Sequence, residues 1–115
     1  MNNCSSKRVA DEVKQCFLFP CDASTIRVDQ IWVSNGLINQ VATMSFNTEK
    51  TGTVSLFFVI IFKKDGTLEF FNLTLVDTRT IIMADIDSIL TVTICFPDAG
   101  QVALNFCIRL HHDCC

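Results

Sequence analysis

The chain has 115 residues and a mass of 12.9 kDa, with half its residues apolar, 18% charged and a net charge of -3. A chain of that size forms one domain whose core needs neither metal nor disulfide, and the apolar content excludes disorder. Nine Lys and Arg against twelve Asp and Glu, with a pI of 5.1 and no basic stretch, argue against nucleic acid as a partner.

Residues 1–15 are polar, mixed in charge and without a clear period. They are expected to form a flexible N-terminal connector arm, because a helical turn over 9–13 is too short to persist alone. The domain proper is expected over 16–115. From Cys16 onward β-branched and aromatic residues recur between turn residues, which predicts strands at 16–19, 26–33, 38–46, 53–62, 67–76, 79–84, 88–96 and 101–111. Asn35-Gly36 and Asp65-Gly66 supply the positive φ of tight hairpins, and Phe96-Pro97-Asp98-Ala99-Gly100 carries a turn opener and a Gly closer. Short antiparallel strands in this number imply an all-β fold, an eight-stranded jelly-roll β-sandwich.

Alternation assigns the faces. In the last strand Val102, Leu104, Phe106, Ile108 and Leu110 share the expected core face, so Cys107 points away from it. The preceding strand reads with Leu90, Val92, Ile94 and Phe96 inward, and with Thr91, Thr93 and Cys95 outward. A β-bulge would reverse such an assignment. The 53–62 strand is apolar on both sides, with Val54, Leu56, Phe58, Ile60 and Phe62 opposite Phe57, Val59 and Ile61. The 67–76 strand is similar, with Leu68 and Phe70 against Phe71, Leu73 and Leu75. A sandwich buries one face of each strand, so a neighbouring subunit is the simplest cover for the second; the arm is the alternative.

Mean hydropathy is +0.39, yet the longest uncharged apolar run, 51–62, falls short of the ~20 residues of a spanning helix. The N-terminus has no apolar h-region and reads as leaderless. Seven cysteines in a leaderless protein are a conflict, since cytosolic thiols stay reduced or bind metal.

Motifs for catalysis are missing: no phosphate-cradling Gly-rich loop, no G-x-S-x-G elbow and no H-E-x-x-H. The only histidines, His111 and His112, lie near the chain end, Asp85 and Asp87 read as a solvated turn, and the Asn72-Leu73-Thr74 sequon reads as chance. No enzyme activity and no cofactor are expected. His111, His112, Cys114 and Cys115 are all zinc-type donors, but their immediate adjacency lacks the spacing of a structural site, so no metal is assigned.

The cysteines fit better as covalent fasteners between copies of the chain. Cys4 lies in the arm, Cys16 and Cys21 bracket the first strand, Cys95 and Cys107 read as outward, and Cys114 and Cys115 close the chain; an odd total favours an intermolecular partner. Extended at ~3.3 Å per residue, the stretch from Cys4 to Cys16 spans about 40 Å, against a radius of gyration of about 13 Å for such a domain. The competing readings are a small soluble jelly-roll binding module and a cysteine-rich metal-binding protein.

The segment Asp77-Thr78-Arg79-Thr80 through Ala84-Asp85-Ile86-Asp87-Ser88-Ile89, the following Thr/Val strand, and Gly100 to Leu110 with Phe106-Cys107-Ile108-Arg109-Leu110 resemble endospore appendage (Ena) subunits of spore-forming bacilli. The Cys-bearing leader and Gly52-Thr53-Val54-Ser55 are also similar. The resemblance implies a jelly-roll subunit of a pilus-like fibre on the endospore surface, self-associating through sheet contacts and the arm, with a spore-surface anchor protein as a further partner. It implies connector disulfides to Cys21 and Cys107, with Cys4 as connector thiol and Cys16 a second candidate; Cys95, Cys114 and Cys115 are secondary. Subunits released by mother-cell lysis need no signal peptide and oxidise in air, which would resolve the compartment conflict. The chain departs from the family in its solitary Cys4 and its C-terminal cysteine pair. That leaves the bridge pairing open, and stacked rings would suit a single connector thiol better than a staggered helix.

Overall fold

Alternating apolar residues dictate strands, and strands are what form. The computed structural model describes residues 8–34 and 41–113, with side chains over 12–34 and 41–111. Within them lie β1 (Arg8–Cys21), β2 (Thr25–Val33), β3 (Val41–Lys63), β4 (Leu68–Asn72), β5 (Thr78–Ala84) and β6 (Ile86–Asp113), all paired antiparallel. The expected Asn35-Gly36 hairpin falls outside the described residues.

The axis of the molecule is the pairing of β3 with β6, which runs from Val41 opposite His111 to Lys63 opposite Ile86. At one end β1 flanks β6 and β5 flanks β3, giving the order β1-β6-β3-β5. At the other end β2 flanks β6 and β4 flanks β3, giving β2-β6-β3-β4. The two half-sheets meet across an apolar core: the Phe19 ring of β1 lies 6.3 Å from Phe57 in the far half of β3. Phe46 faces Phe106 in register with ring centroids 5.2 Å apart, and both are buried.

The described residues hold six strands rather than the expected eight, because two expected breaks are bends. Residues 47–52 lie between two expected strands, yet Asn47 through Gly52 stay paired with Asn105 through Gly100. Beyond Gly52 the register jumps so that Val54 faces Cys95. Residues 96–99 are thereby extruded as an exposed bulge, pinned where the Ser55 hydroxyl donates to the Phe96 carbonyl at 2.6 Å. Gly52 and Gly100 face each other at this corner. Gly52 has φ +72°, and a Cβ on it would lie 2.7 Å from the Ala99 oxygen and 2.8 Å from the Gly100 Cα.

Both long strands reverse their inward parity across the corner. In β3 the buried side chains are Ala42, Met44, Phe46 and Thr48 before it, and Phe57, Val59 and Ile61 after it. In β6 the side chains facing the core are Ile89, Thr91, Thr93 and Cys95 before it, with Val92 also buried but outside the core cluster, and Val102, Leu104, Phe106, Ile108 and Leu110 after it. The last series is the expected one. The earlier one corrects the expectation: Cys95, Thr91 and Thr93 are inward, Phe96 is exposed, and the bulge is the cause.

Two boundaries also move. β1 begins at Arg8, so the backbone of residues 8–15, expected within the arm, is laddered to Phe106–Asp113 of β6. β4 ends at Asn72, where its side-chain oxygen accepts the Thr74 amide at 2.8 Å, and the Thr74 hydroxyl takes up the Phe57 amide in place of a ladder partner. Leu73 is buried just after the strand, while Leu75 is exposed.

Gly52 and Gly66 form an internal comparison. Both have positive φ, but nothing lies within 4 Å of a Cβ on Gly66. Gly66→Ala should cost about 1 kcal/mol from the backbone alone, whereas Gly52→Ala should cost about 3 kcal/mol or more because backbone atoms must also move. Denaturant midpoints of the two variants check this; equal losses would show that the corner tolerates a side chain.

Candidate cross-linking sites

The outer face of the β1-β6-β3 half-sheet carries thiols. Cys16 lies opposite Asn105 and Lys14 opposite Cys107, so the two cysteines are diagonal neighbours on adjacent strands. They line an open groove of about 380 Å³ with Lys14, Ser45, Asn47 and Asn105. Cys16 is exposed, and its thiol donates to the Asn105 side-chain oxygen at 2.8 Å. Cys107 is half-buried, and its thiol donates to the Glu12 carboxylate at 3.5 Å. Burial pushes the Cys107 thiol pKa up, and the hydrogen bond to Glu12 and its charge add to that; Lys14 and Arg109 oppose it. Directly opposed non-bonded pairs in a ladder suit disulfides better than diagonals, which sit ~7–8 Å apart, so this geometry leaves both thiols open to a third.

A second pair sits at the corner. Cys21 ends β1 opposite Gly100, and Thr25, which starts β2, lies opposite Cys95. Both cysteines are buried free thiols. The Cys21 sulfur is 3.6 Å from the Thr25 carbonyl and 3.9 Å from that of Thr93. Burial, then a hydrogen bond to the Cys21 thiol, pushes the Cys95 thiol up to about 11. Cys21 also lines an open hollow with Pro20, Asp22, Arg27 and Asp29.

The other outer face is apolar. Ile26, Ile94 and Leu56 form one row across the β2-β6-β3-β4 half-sheet, followed by Val28, Val92 and Phe58, then Leu90, Ile60 and Phe70. Ile26, Val28 and Phe70 are all more than half exposed. The doubly apolar pattern expected for 53–62 is therefore present, with Phe57, Val59 and Ile61 in the core and Leu56, Phe58 and Ile60 on this face.

Of the expected thiols, Cys16 and Cys107 share the groove, while Cys21 sits with Cys95 at the corner. Cys4, Cys114 and Cys115 lie outside the described residues, as does the His112 side chain. Among the described residues no three His, Cys, Asp or Glu side chains cluster to hold a metal ion, and no helix is long and apolar enough to cross a membrane. The Cys21–Cys95 contact was missed because it depends on the parity reversal; the signal was the Pro-Asp-Ala-Gly stretch between Cys95 and Cys107.

Comparison with known proteins agrees with this picture. The family model Enas, endospore appendages, matches residues 1–114. A solved structure of Bacillus endospore appendages, described as a novel family of disulfide-linked pili, superposes with a TM-score of 0.60 at 16% identity, covering 90% of this chain and 88% of the other. A search of the curated proteins found no match.

Glu12→Gln should accelerate alkylation of Cys107 several-fold at pH 8, because removing the anionic acceptor lets the thiolate form at lower pH. Mass-spectrometric alkylation kinetics of the reduced protein read this directly, and an unchanged rate would show that Glu12 does not restrain the thiol.

Proposed function

The chain belongs to the endospore appendage family, and on that basis we propose that it is a structural, non-enzymatic subunit that polymerises into a disulfide-cross-linked, pilus-like fibre on the bacterial spore surface. The observation that carries this reading is the outer groove, where Cys16 and Cys107 present free thiols side by side. A core of this quality needs no staple, so accessible thiols on an ordered sheet face are best used between molecules. Cys4 of a neighbouring copy is the incoming thiol. Its bond to Cys107, or to Cys16 in place of the expected Cys21, which is buried where Cys16 is exposed, releases two protons and two electrons, taken by dioxygen or a small disulfide.

The six strands fit a jelly roll when each long strand is counted on both sides of its bend. The order β1-β6-β3-β5 is then one sheet and β2-β6-β3-β4 the other, giving the expected eight segments. The apolar rows centred on Val28, Phe58 and Phe70 supply lateral contact to the next subunit. Because β1 is laddered from Arg8, Cys4 can reach only about 13 Å past the sheet at ~3.3 Å per residue. A longer reach requires residues 8–15 to leave β6. Such head-to-tail contacts form rings when they close and filaments when they do not. Localisation to the spore surface, with an anchor protein there, follows from the same reading, as does a role without cofactor.

Electron micrographs of the oxidised protein should show fibres, and non-reducing denaturing gels should show ladders that collapse with reductant. Cys4→Ser should remove most of the ladder, and discrete particles with a reductant-insensitive monomer band would overturn the proposal. Val28→Asp with Phe70→Asp should leave the fold intact by circular dichroism and slow assembly at least ~10-fold through loss of the apolar contact.

A further inference from the structure

Cys21 and Cys95 belong to different strands, far apart in sequence, and meet only because the corner brings the end of β1 and the start of β2 onto the same stretch of β6. Cys21 faces Gly100 and Thr25 faces Cys95, while the four residues between Cys95 and Gly100 are looped out of the ladder. The Cys21 sulfur touches the Thr25 carbonyl and hydroxyl, each at 3.6 Å, on the residue that pairs with Cys95. Two buried thiols in mutual contact are poor metal ligands on their own, and no third donor joins them among the described residues.

We propose that Cys21 and Cys95 close as an intrachain disulfide, a clasp that ties the β1-β2 turn to the corner of β6. In the balanced step the Cys21 thiolate attacks a small-molecule disulfide such as that of glutathione and releases one thiol. The Cys95 thiolate then attacks the Cys21 sulfur and releases the second thiol, so two protein thiols are oxidised and one external disulfide is reduced. The open hollow beside Cys21 admits the oxidant, whereas Cys95 is sealed behind it. Closure is slow near neutrality because burial holds Cys95 protonated, with a thiol pushed up to about 11.

The clasp does not depend on the fibre reading, but within a fibre it has a mechanical use. Tension on the N-terminal arm would peel β1 from the sheet edge, and a covalent stop at Cys21 ends the peel at the last residue of β1. It also leaves Cys16 and Cys107 as the thiols open to a neighbour.

The test is dilute full-length protein oxidised with glutathione disulfide, blocked with maleimide under denaturing conditions and cut with chymotrypsin, which separates Cys16 from Cys21 at Phe17 and Cys95 from Cys107 at Phe106. The expected product is a Cys21–Cys95 cross-linked peptide pair from monomeric chains. Its rate of formation should rise about tenfold per pH unit from 7 to 10, tracking the Cys95 thiolate. Closing a loop of roughly 75 residues should raise Tm by roughly 10 °C over the reduced form, and Cys95→Ala should abolish that difference. Recovery of both cysteines as maleimide adducts, or of either in a bond to another chain, overturns the clasp. Fibres with Cys21 and Cys95 both free overturn the clasp alone, and clasped chains that never polymerise overturn the fibre reading alone.

Discussion

The structure depends on how closely two backbones can approach at one point. Gly52 and Gly100 face each other where β3 and β6 bend together, and a Cβ on Gly52 would fall inside the contact distance of the Ala99 carbonyl. At this corner the long strands bend instead of running on in one sheet, so β1-β6-β3-β5 and β2-β6-β3-β4 lie as two half-sheets. The bend turns one hydrogen-bonded ribbon into two layers, and the inner faces then close on Phe19, Phe57, Phe46 and Phe106. A hydrophobic driving force worth roughly 2 kcal/mol per large side chain is thus realised across a corner whose two facing residues lack side chains.

The same corner decides which parts of the fold were legible in the sequence. Strand locations followed from β-branched and aromatic runs bounded by turn residues, and the inward face of 102–110 followed from simple alternation. The inward face of 89–95 did not, because alternation counts residues and the bulge at 96–99 breaks the count. Cys95 therefore moved from an expected surface thiol to a buried one, and the second cysteine pair emerged from that shift alone. β1 was hidden for a different reason. Between Arg8 and Gln15 it is an edge segment in which Glu12, Lys14 and even Val13 are exposed, and an edge strand has half the burial that makes a pattern visible. Cys16 and Cys107 could each be assigned outward by parity, but their register was not in the sequence; only the ladder places them diagonally in one groove.

Local environment sorts the described cysteines by chemistry more sharply than sequence position does. Cys16 is open to solvent beside an amide oxygen. Cys107 is half-covered and held by a carboxylate that disfavours its thiolate. Cys95 is fully buried beside the Cys21 thiol and the Gly100 backbone amide, with the Asp22 charge also acting against its thiolate. Nucleophilic attack requires both thiolate and access, so these sites differ in rate even where a disulfide would be equally stable at each. A chain carrying seven cysteines avoids random pairing most simply by such kinetic separation.

The edge position of β1 links the fold to load. An edge strand is bonded on one side only, and β1 rests on β6 through hydrogen bonds that would open one at a time if its N-terminal end were pulled. Peeling costs little per step, since each net hydrogen bond contributes about 1 kcal/mol, and it exposes Phe17 and Phe19 only at the far end. Resistance therefore concentrates where β1 meets the corner, beside the Phe17–Phe19 stack, the Arg27 guanidinium over Phe19 and the sulfur of Cys21. Phe19, which packs on Phe57 where the two layers close, is also among the residues that stop an unravelling edge. A subunit linked to its neighbours through its N-terminal segment would transmit force along β1 to the corner where it meets β6.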